Sequence, residues 1–260
     1  MMYTLITQTD NLTFDDIGNI NYTKKDVDIS IILPTFNEAE LIKKLITSIS
    51  LIMEGLNFEI VVVDDDSSDG TSLIVEELTK TSPRITILNR KKRGVFSAQQ
   101  DGIKIAAGKY VVLMDADFSH PPKNLLEMIN HITEYDIVSC SRFLKNSRII
   151  APFSRKYSTI ILNIVLRKML NFGVTDYTSI FLAAKKDSWN KLTFHYDSVW
   201  GEAGMEIFKQ ARLHNLSIKE IPFTYNFREE GDSKSDNLFK YAYIYLKRAI
   251  DVRFFYKGKK

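Results

Sequence analysis

Cysteine is almost absent. The single residue at position 140 rules out a disulfide framework and a thiolate metal cluster. Cys140 falls in the apparent strand Ile137–Val138–Ser139–Cys140 and reads as a packed residue, not a nucleophile. Histidine is scarce too: four residues, at positions 120, 131, 195 and 214, with no zinc-site spacing among them. No window reaches the roughly 18 consecutive apolar residues of a membrane-spanning helix. The opening Met1–Gln8 lacks the basic end and long apolar stretch of a secretory signal. A net charge of +3 is too small to point to nucleic acid. No Gly-x-Gly-x-x-Gly follows a strand, which argues against a dinucleotide-dependent oxidoreductase. What is left is a soluble body whose membrane contact, if any, is peripheral. Its 260 residues suffice for one large domain, or one domain with appendages.

Residues 1–27 are polar and weakly periodic and are expected to form an extension outside the core. The body opens with the buried-strand pattern Ile29–Leu33, which Pro34 is expected to stop. Phe36–Asn37–Glu38 then begins a helix carrying Leu41, Leu45, Ile46 and Ile49 at helical spacing. Phe58–Val63 is a β-branched strand, followed by a helix with Leu73, Ile74, Val75 and Leu78. Ile85–Leu88 is a third strand, and Ser97–Ala107 a helix with Gly108 as its stop signal. Val111–Met114 is the fourth strand. This alternation predicts an α/β fold: a Rossmann-like, mostly parallel sheet with helices on both faces.

In such sheets ligands sit beyond the carboxyl ends of the strands. Those ends carry Pro34–Glu38, Asp64–Thr71, Arg90–Gly94 and Asp115–Ser119, so acidic groups from several strands converge on one edge. Asp115 and Asp117, one residue apart after a buried strand, suit a hard divalent cation carrying a phosphate-bearing substrate. The plainer alternative is an acidic loop that merely closes the strand.

Three motifs in order, Ile32–Leu33–Pro34–Thr35–Phe36–Asn37–Glu38, Val63–Asp64–Asp65–Asp66–Ser67–Ser68–Asp69–Gly70–Thr71 and Met114–Asp115–Ala116–Asp117–Phe118–Ser119–His120–Pro121, resemble the inverting family-2 glycosyltransferases. Within them the chain is most similar to the dolichyl-phosphate mannose synthases and related polyprenyl-phosphate glycosyltransferases, from about residue 28 to about 237. The resemblance implies a GT-A type nucleotide-sugar fold over 28–237, and residues 238–260 read by their own pattern as a basic amphipathic helix. By it, Pro34, Phe36, Glu38, Val63 and Asp65 line the nucleotide pocket. Asp115, Ala116 and Asp117 hold the donor diphosphate through Mg²⁺ or Mn²⁺, with Ser119 helping at the metal. A bridging cation would stabilise the charge that develops on a leaving diphosphate.

Ile137–Phe143 resembles the family strand that ends in Ser-Arg-Tyr, and Phe227–Lys234 resembles its Arg-x-x-Gly-x-Ser-Lys loop. Arg142, Arg228 and Lys234 are thereby implied as cations for an acceptor phosphate, with Arg155 joining them. Asp176 lies where related enzymes keep an acidic residue near the acceptor; a capping or loop role is the alternative. Departures from the pattern include Asp66 where the family has Gly, Phe36 for Tyr, and Thr178–Ser179–Ile180 without its Gly.

The implied reaction is metal-dependent transfer of a hexose, mannose from GDP-mannose first, to dolichyl or polyprenyl phosphate. Alternatives are a UDP-sugar such as UDP-glucose as donor, a saccharide as acceptor, or a catalytically silent nucleotide-sugar-binding subunit.

Tyr157–Phe172 is too short to span a bilayer but suits its interface. Near the end, Phe239, Ala242, Tyr243, Leu246, Ala249, Ile250 and Phe254 share one helical face, with Lys240, Lys247 and Arg248 off it and Lys257, Lys259 and Lys260 beyond. That face is expected to meet an anionic membrane or to pack on the core. Some relatives append membrane helices at this point; here the surface helix or a membrane subunit would serve instead. The expected location is cytoplasmic, peripheral to the cytoplasmic face of a membrane.

Overall fold

The computed structural model describes residues 28–194, 202–227 and 238–255. The expected 1–27 extension, the Arg228 and Lys234 loop, and Lys257, Lys259 and Lys260 lie outside the described residues.

Strands β1 (Asp28–Thr35), β2 (Asn57–Asp64), β3 (Ile85–Asn89) and β4 (Tyr110–Leu113) alternate with helices α1 (Ile42–Ile52), α2 (Thr71–Thr81) and α3 (Val95–Ile105). Helix α4 (Asn124–Ile132) then leads to β5 (Ile137–Ser141). The strands are apolar on both faces, as a sheet covered on both sides requires. Along β1, Ile29, Ile31 and Leu33 enter one core layer and Ile32 the other.

After β5 come β6 (Arg148–Ile150), α5 (Phe153–Leu170), β7 (Leu182–Lys185), α6 (Lys186–Lys191), α7 (Ala203–Leu213), β8 (Ile218–Pro222) and β9 (Thr224–Asn226). Helix α8 (Leu238–Ile250) runs into a π-helical turn over Asp251–Phe255. The seven-stranded sheet has the order β3-β2-β1-β4-β7-β5-β8, and β6 pairs with β9 separately. All ladders are parallel except those of β7, which runs antiparallel between β4 and β5. Two consequences place the site. Connections leave β1 toward β2 on one side while β4 lies on the other, so a crevice opens where their carboxyl ends part. Because β7 is reversed, the residues just before it, Asp176–Phe181, reach that same edge.

Several boundaries differ from the sequence expectation. Strand β1 runs through Pro34 to Thr35. Ile32 C=O accepts from Met114 N–H and Thr35 C=O from Asp65 N–H, so alternate residues face β4 and β2. Pro34 therefore faces β4 beyond the end of that strand, where no ladder bond is needed. Helix α1 begins at Ile42, not Phe36, because Asn37 takes φ 55°. The amides before it are instead held by the β2–α2 loop: Asn37 N–H by Ser67 Oγ, Glu38 N–H by Thr71 Oγ1 and Ala39 N–H by Asp69 Oδ2, all at 2.8–2.9 Å. Helix α3 ends at Ile105, and Gly108 donates its amide to Ser30 Oγ at 2.8 Å.

The expected stripe on α8 divides between the two alternatives. Tyr245, Ala249 and Val252 are buried against the core, whereas Tyr243, Ile250 and Phe254 are exposed. Arg248, expected off the stripe, is buried and donates to the buried Glu206 at 2.9 Å. A desolvated guanidinium is tolerated because a carboxylate meets it. Helix α8 thus packs on α5 and the sheet body.

Helix α3 crosses the sheet where Gly102 faces β1 and β2: an added Cβ would lie 2.4 Å from Ile32 Cγ2 and 3.1 Å from Val63 Cγ2. Gly102→Ala is expected to destabilise the fold by about 1–3 kcal/mol, read as a lower denaturant midpoint at unchanged m-value.

Candidate active site

The crevice between β1 and β4 is a cleft of about 260 Å³. Of the residues expected to bind ligand, Pro34, Glu38, Asp115, Ala116, Asp117, Ser119 and Arg142 all line it. Arg155 lines it too, from the first turns of α5.

Tight local bonding shapes the Asp115–His120 segment. Phe118 has φ 60°, a left-handed conformation unfavourable for a bulky side chain by about 1–2 kcal/mol. Packing of its ring on the core offsets that strain, as does the bond from Ser119 N–H to Asp117 Oδ1 at 3.1 Å. The chain reverses there, and both aspartates reach the cleft. His120, 3% exposed, stacks on Phe181 with centroids 4.6 Å apart. Its Nδ1 accepts the Asp115 N–H at 3.0 Å, which puts the imidazole proton on Nε2. Nε2 lies 3.5 Å from Ser179 Oγ and 3.6 Å from Asp115 Oδ2. Burial pushes its pKa below the ordinary imidazole value, against the pull of Asp115 and Asp117. His120 is a neutral strut under Asp115.

Arg142, at the end of β5, enters the cleft on a buried counterion. Its Nε and Nη2 donate to the two oxygens of Asp176 at 2.7 and 2.8 Å, and Nη2 also to Thr178 Oγ1 at 2.5 Å. Asp176 is fully buried and does not line the cleft; its carboxylate is taken up by Arg142. Burial alone would raise its pKa, but the Arg142 charge and the hydrogen bonds hold it below the usual carboxylate value. Glu220 fastens the loop from below, accepting the amides of Thr175 at 2.8 Å and Asp176 at 3.3 Å. Asn163 of α5 ties it from the side through Thr178 Oγ1 and the Tyr177 amide, both at 2.8 Å.

The remaining sequence candidates stand apart from the cleft. Val63, expected to line the nucleotide pocket, is fully buried in the sheet core, because it faces the α3 side of a strand covered on both sides. Asp65 accepts Arg90 Nε at 2.6 Å and the Gly94 amide at 2.8 Å, which pins the β3–α3 loop. Phe36 lies under Arg93, whose guanidinium carbon is 3.9 Å from the ring centroid. Asp64 is likewise internal, accepting Thr35 Oγ1, Ser67 Oγ and Ser72 Oγ at 2.6–2.8 Å. Much of the acidity at this edge therefore organises loops. Asp66 keeps the turn that glycine would make, at φ 60°.

Sequence reasoning missed an aromatic wall: Tyr225 and Phe227, with Tyr241 and Tyr245 from α8, all line the cleft. The period-two pair and the i, i+4 pair were the available signals. Tyr225 lies 5.3 Å below the Arg142 guanidinium, and burial pushes its hydroxyl up to about 12. Gln99 of α3, also unforeseen, lines the cleft floor.

Among the described residues no three Asp, Glu, His or Cys side chains cluster as a metal cage. Two carboxylates with a hydroxyl nearby form a hard oxygen donor set, suited to Mg²⁺ or Mn²⁺ that takes its other ligands from a substrate diphosphate.

Comparison with known proteins yields a family model, Glycosyl transferase family 2, matching residues 30–193. A dolichol-phosphate mannosyltransferase of Pyrococcus furiosus is 34% identical over 212 residues, covering 79% of this chain and 58% of that protein. The chain thus spans little more than half of that relative. A dolichol-phosphate mannosyltransferase of Mycosarcoma maydis is 29% identical over 241 residues, 86% of this chain and 78% of that one. Glucosyl-3-phosphoglycerate synthase from Mycobacterium tuberculosis, in complex with Mn²⁺, UDP and glucosyl-3-phosphoglycerate, superposes with a TM-score of 0.68. It is 19% identical, over 93% of this chain and 85% of that one, so it shares the GT-A fold.

Removing the charge of Asp176 would leave Arg142 buried without a counterion. Asp176→Asn is expected to lower stability by about 3–5 kcal/mol at pH 7. Because the folded pKa of Asp176 is depressed, its contribution is present above the ordinary carboxylate range and is lost as pH falls through the folded value. The gap between variant and wild type in denaturant titrations should therefore narrow below about pH 4.

Proposed function

The chain belongs to glycosyl transferase family 2, and we propose that it transfers a hexose, mannose from GDP-mannose first, to a polyprenyl or dolichyl phosphate. One observation carries the reading: a single cleft is lined by the carboxylates of Asp115 and Asp117, the guanidinium groups of Arg142 and Arg155, and four aromatic rings. A diphosphate leaving group needs cationic compensation near the carboxylates, and a lipid monophosphate needs cations beside an apolar wall. The names of the Pyrococcus and Mycosarcoma relatives support mannose as the transferred sugar and dolichyl phosphate as its acceptor.

In this reading residues 28–237 hold the transferase body and α8 lends it Tyr241 and Tyr245. Pro34 and Glu38 border the nucleotide, with Phe36 and Asp65 fixing the adjoining loops. Asp115 and Asp117, with Ser119 beside them, hold Mg²⁺ or Mn²⁺, which when bound offsets charge on the departing diphosphate. Arg142 orients the acceptor phosphate, aided by Arg155 and, by motif, by Arg228 and Lys234. A phosphate oxygen, already anionic near neutral pH, attacks the anomeric carbon, and the bond to the diphosphate breaks with its electron pair leaving on the nucleotide. No general base is required, so positioning and charge compensation supply the catalysis. Asp176 acts through Arg142, as a positioning residue.

The exposed face of α5 supports a membrane-associated seat. No described helix is long and apolar enough to cross a bilayer. Yet Phe153, Tyr157, Ile161 and Ile164, three or four residues apart, form one exposed stripe, with Phe153 76% and Ile161 61% accessible. Lys156 and Lys168 flank it, and the opposite side of the same helix lends Arg155, Ser158 and Thr159 to the cleft. An interfacial seat on the cytoplasmic face of an anionic membrane would bring a lipid phosphate to that mouth.

Incubation with GDP-mannose, UDP-glucose and other donors, a polyprenyl phosphate and Mn²⁺ is expected to yield lipid-phosphate mannose from GDP-mannose. A product from UDP-glucose alone would reassign the donor, and no glycolipid from any donor would overturn the reading. Asp117→Asn should lower turnover at least about 100-fold while leaving the fold intact. In sedimentation with phosphatidylserine-containing vesicles, Ile161→Glu should lose at least about tenfold in binding; failure of the wild-type protein to bind would remove the membrane seat.

A further inference from the structure

Gln99 is the unusual polar group of the cleft. It is fully buried, and neither Oε1 nor Nε2 has a hydrogen-bond partner among the described residues. Leaving a buried amide unpaired costs about 1–3 kcal/mol per group, so native proteins rarely do it without a reason. Here the position gives one. Gly102 packs α3 against Ile32 and Val63, and α3 runs antiparallel to β1. One helical turn toward its N-terminus, Gln99 comes level with the end of β1 at Pro34, and Val95, four residues earlier, is on the same helix face. Both line the cleft with Glu38, Asp115 and Ala116.

The chemistry of the missing partner is constrained from both sides. Nε2 can only donate and Oε1 can only accept. A diphosphate oxygen would satisfy the first and leave the second orphaned. A vicinal pair of hydroxyls satisfies both, because one can accept while its neighbour donates. A sugar nucleotide carries such pairs on its ribose and on its hexose. We infer that Gln99 is a donor-recognition residue, whose amide is held unpaired in the free protein and closes on a vicinal diol of the sugar nucleotide. The assignment rests on the donor reading above. It makes donor affinity and free-protein stability opposed at this one position.

Gln99→Met, close in shape and without polar atoms, and Gln99→Leu test it on the full chain. Thermal and denaturant unfolding of the free protein should show both variants at least as stable as wild type, since the orphaned amide is gone. Calorimetry with Mn²⁺ would then use the nucleoside diphosphate, GDP or UDP, that the wild type binds, its 2′-deoxy form, and the matching nucleotide-hexose. If the ribose is read, Gln99→Met loses about 10–100-fold for the nucleoside diphosphate and nothing further for the 2′-deoxy form. If the hexose is read, the nucleoside diphosphate binds as before and the nucleotide-hexose loses that factor. Either result supports the inference. Equal losses for the ribo and 2′-deoxy forms, unchanged affinity for every probe, or a clear loss of free-protein stability in both variants would overturn it. Wild-type protein that binds no nucleotide would overturn the donor reading itself.

Discussion

The buried ion pair between Arg142 and Asp176 is the constraint on which the cleft depends. It joins the end of β5 to a loop 34 residues later, with neither side chain more than 8% exposed. Two desolvated charges stabilise little on balance, but removing one strands the other. The pair therefore specifies geometry more than it adds stability. Thr178, Asn163 and Glu220 complete the network, and the reversed β7 delivers that loop to the same edge as β4. From Ser179 contact passes to His120, and from His120 to the amide of Asp115. The acidic and basic walls of the cleft are thus set by one connected framework.

That framework also explains how so many carboxylates coexist on one edge. Asp64 is satisfied by hydroxyls, Asp65 by Arg90 and Asp176 by Arg142. Each acid that organises structure has a donor built beside it, while Asp115 and Asp117 are directed into the cleft. Ligand chemistry and loop architecture draw on the same residue type, separated by who their partners are.

Much of this was legible in sequence. Parallel strands covered on both faces must be continuous apolar runs, so β1 to β4 and their helices showed clearly, and the Asp115–Asp117 pair marked the end of β4. Other features left no local signal. Leu182–Ala183–Ala184 is too short and too small to announce a central antiparallel strand. The Arg142–Asp176 and Arg248–Glu206 pairs are tertiary events between distant segments, invisible to periodicity. The apolar residues of α8 could be grouped on more than one face, and the buried Arg248 was the residue that decided between them. Gln99 looks like any helical glutamine until its burial is known.

The central claim is that an acceptor phosphate oxygen attacks the anomeric carbon and a nucleoside diphosphate departs. Mass analysis of the lipid product, together with the released nucleotide, tests this in one measurement. The account predicts that the lipid phosphate gains one hexosyl unit and that a nucleoside diphosphate is released in equal amount. A lipid carrying a hexose phosphate, with release of a nucleoside monophosphate, would contradict it.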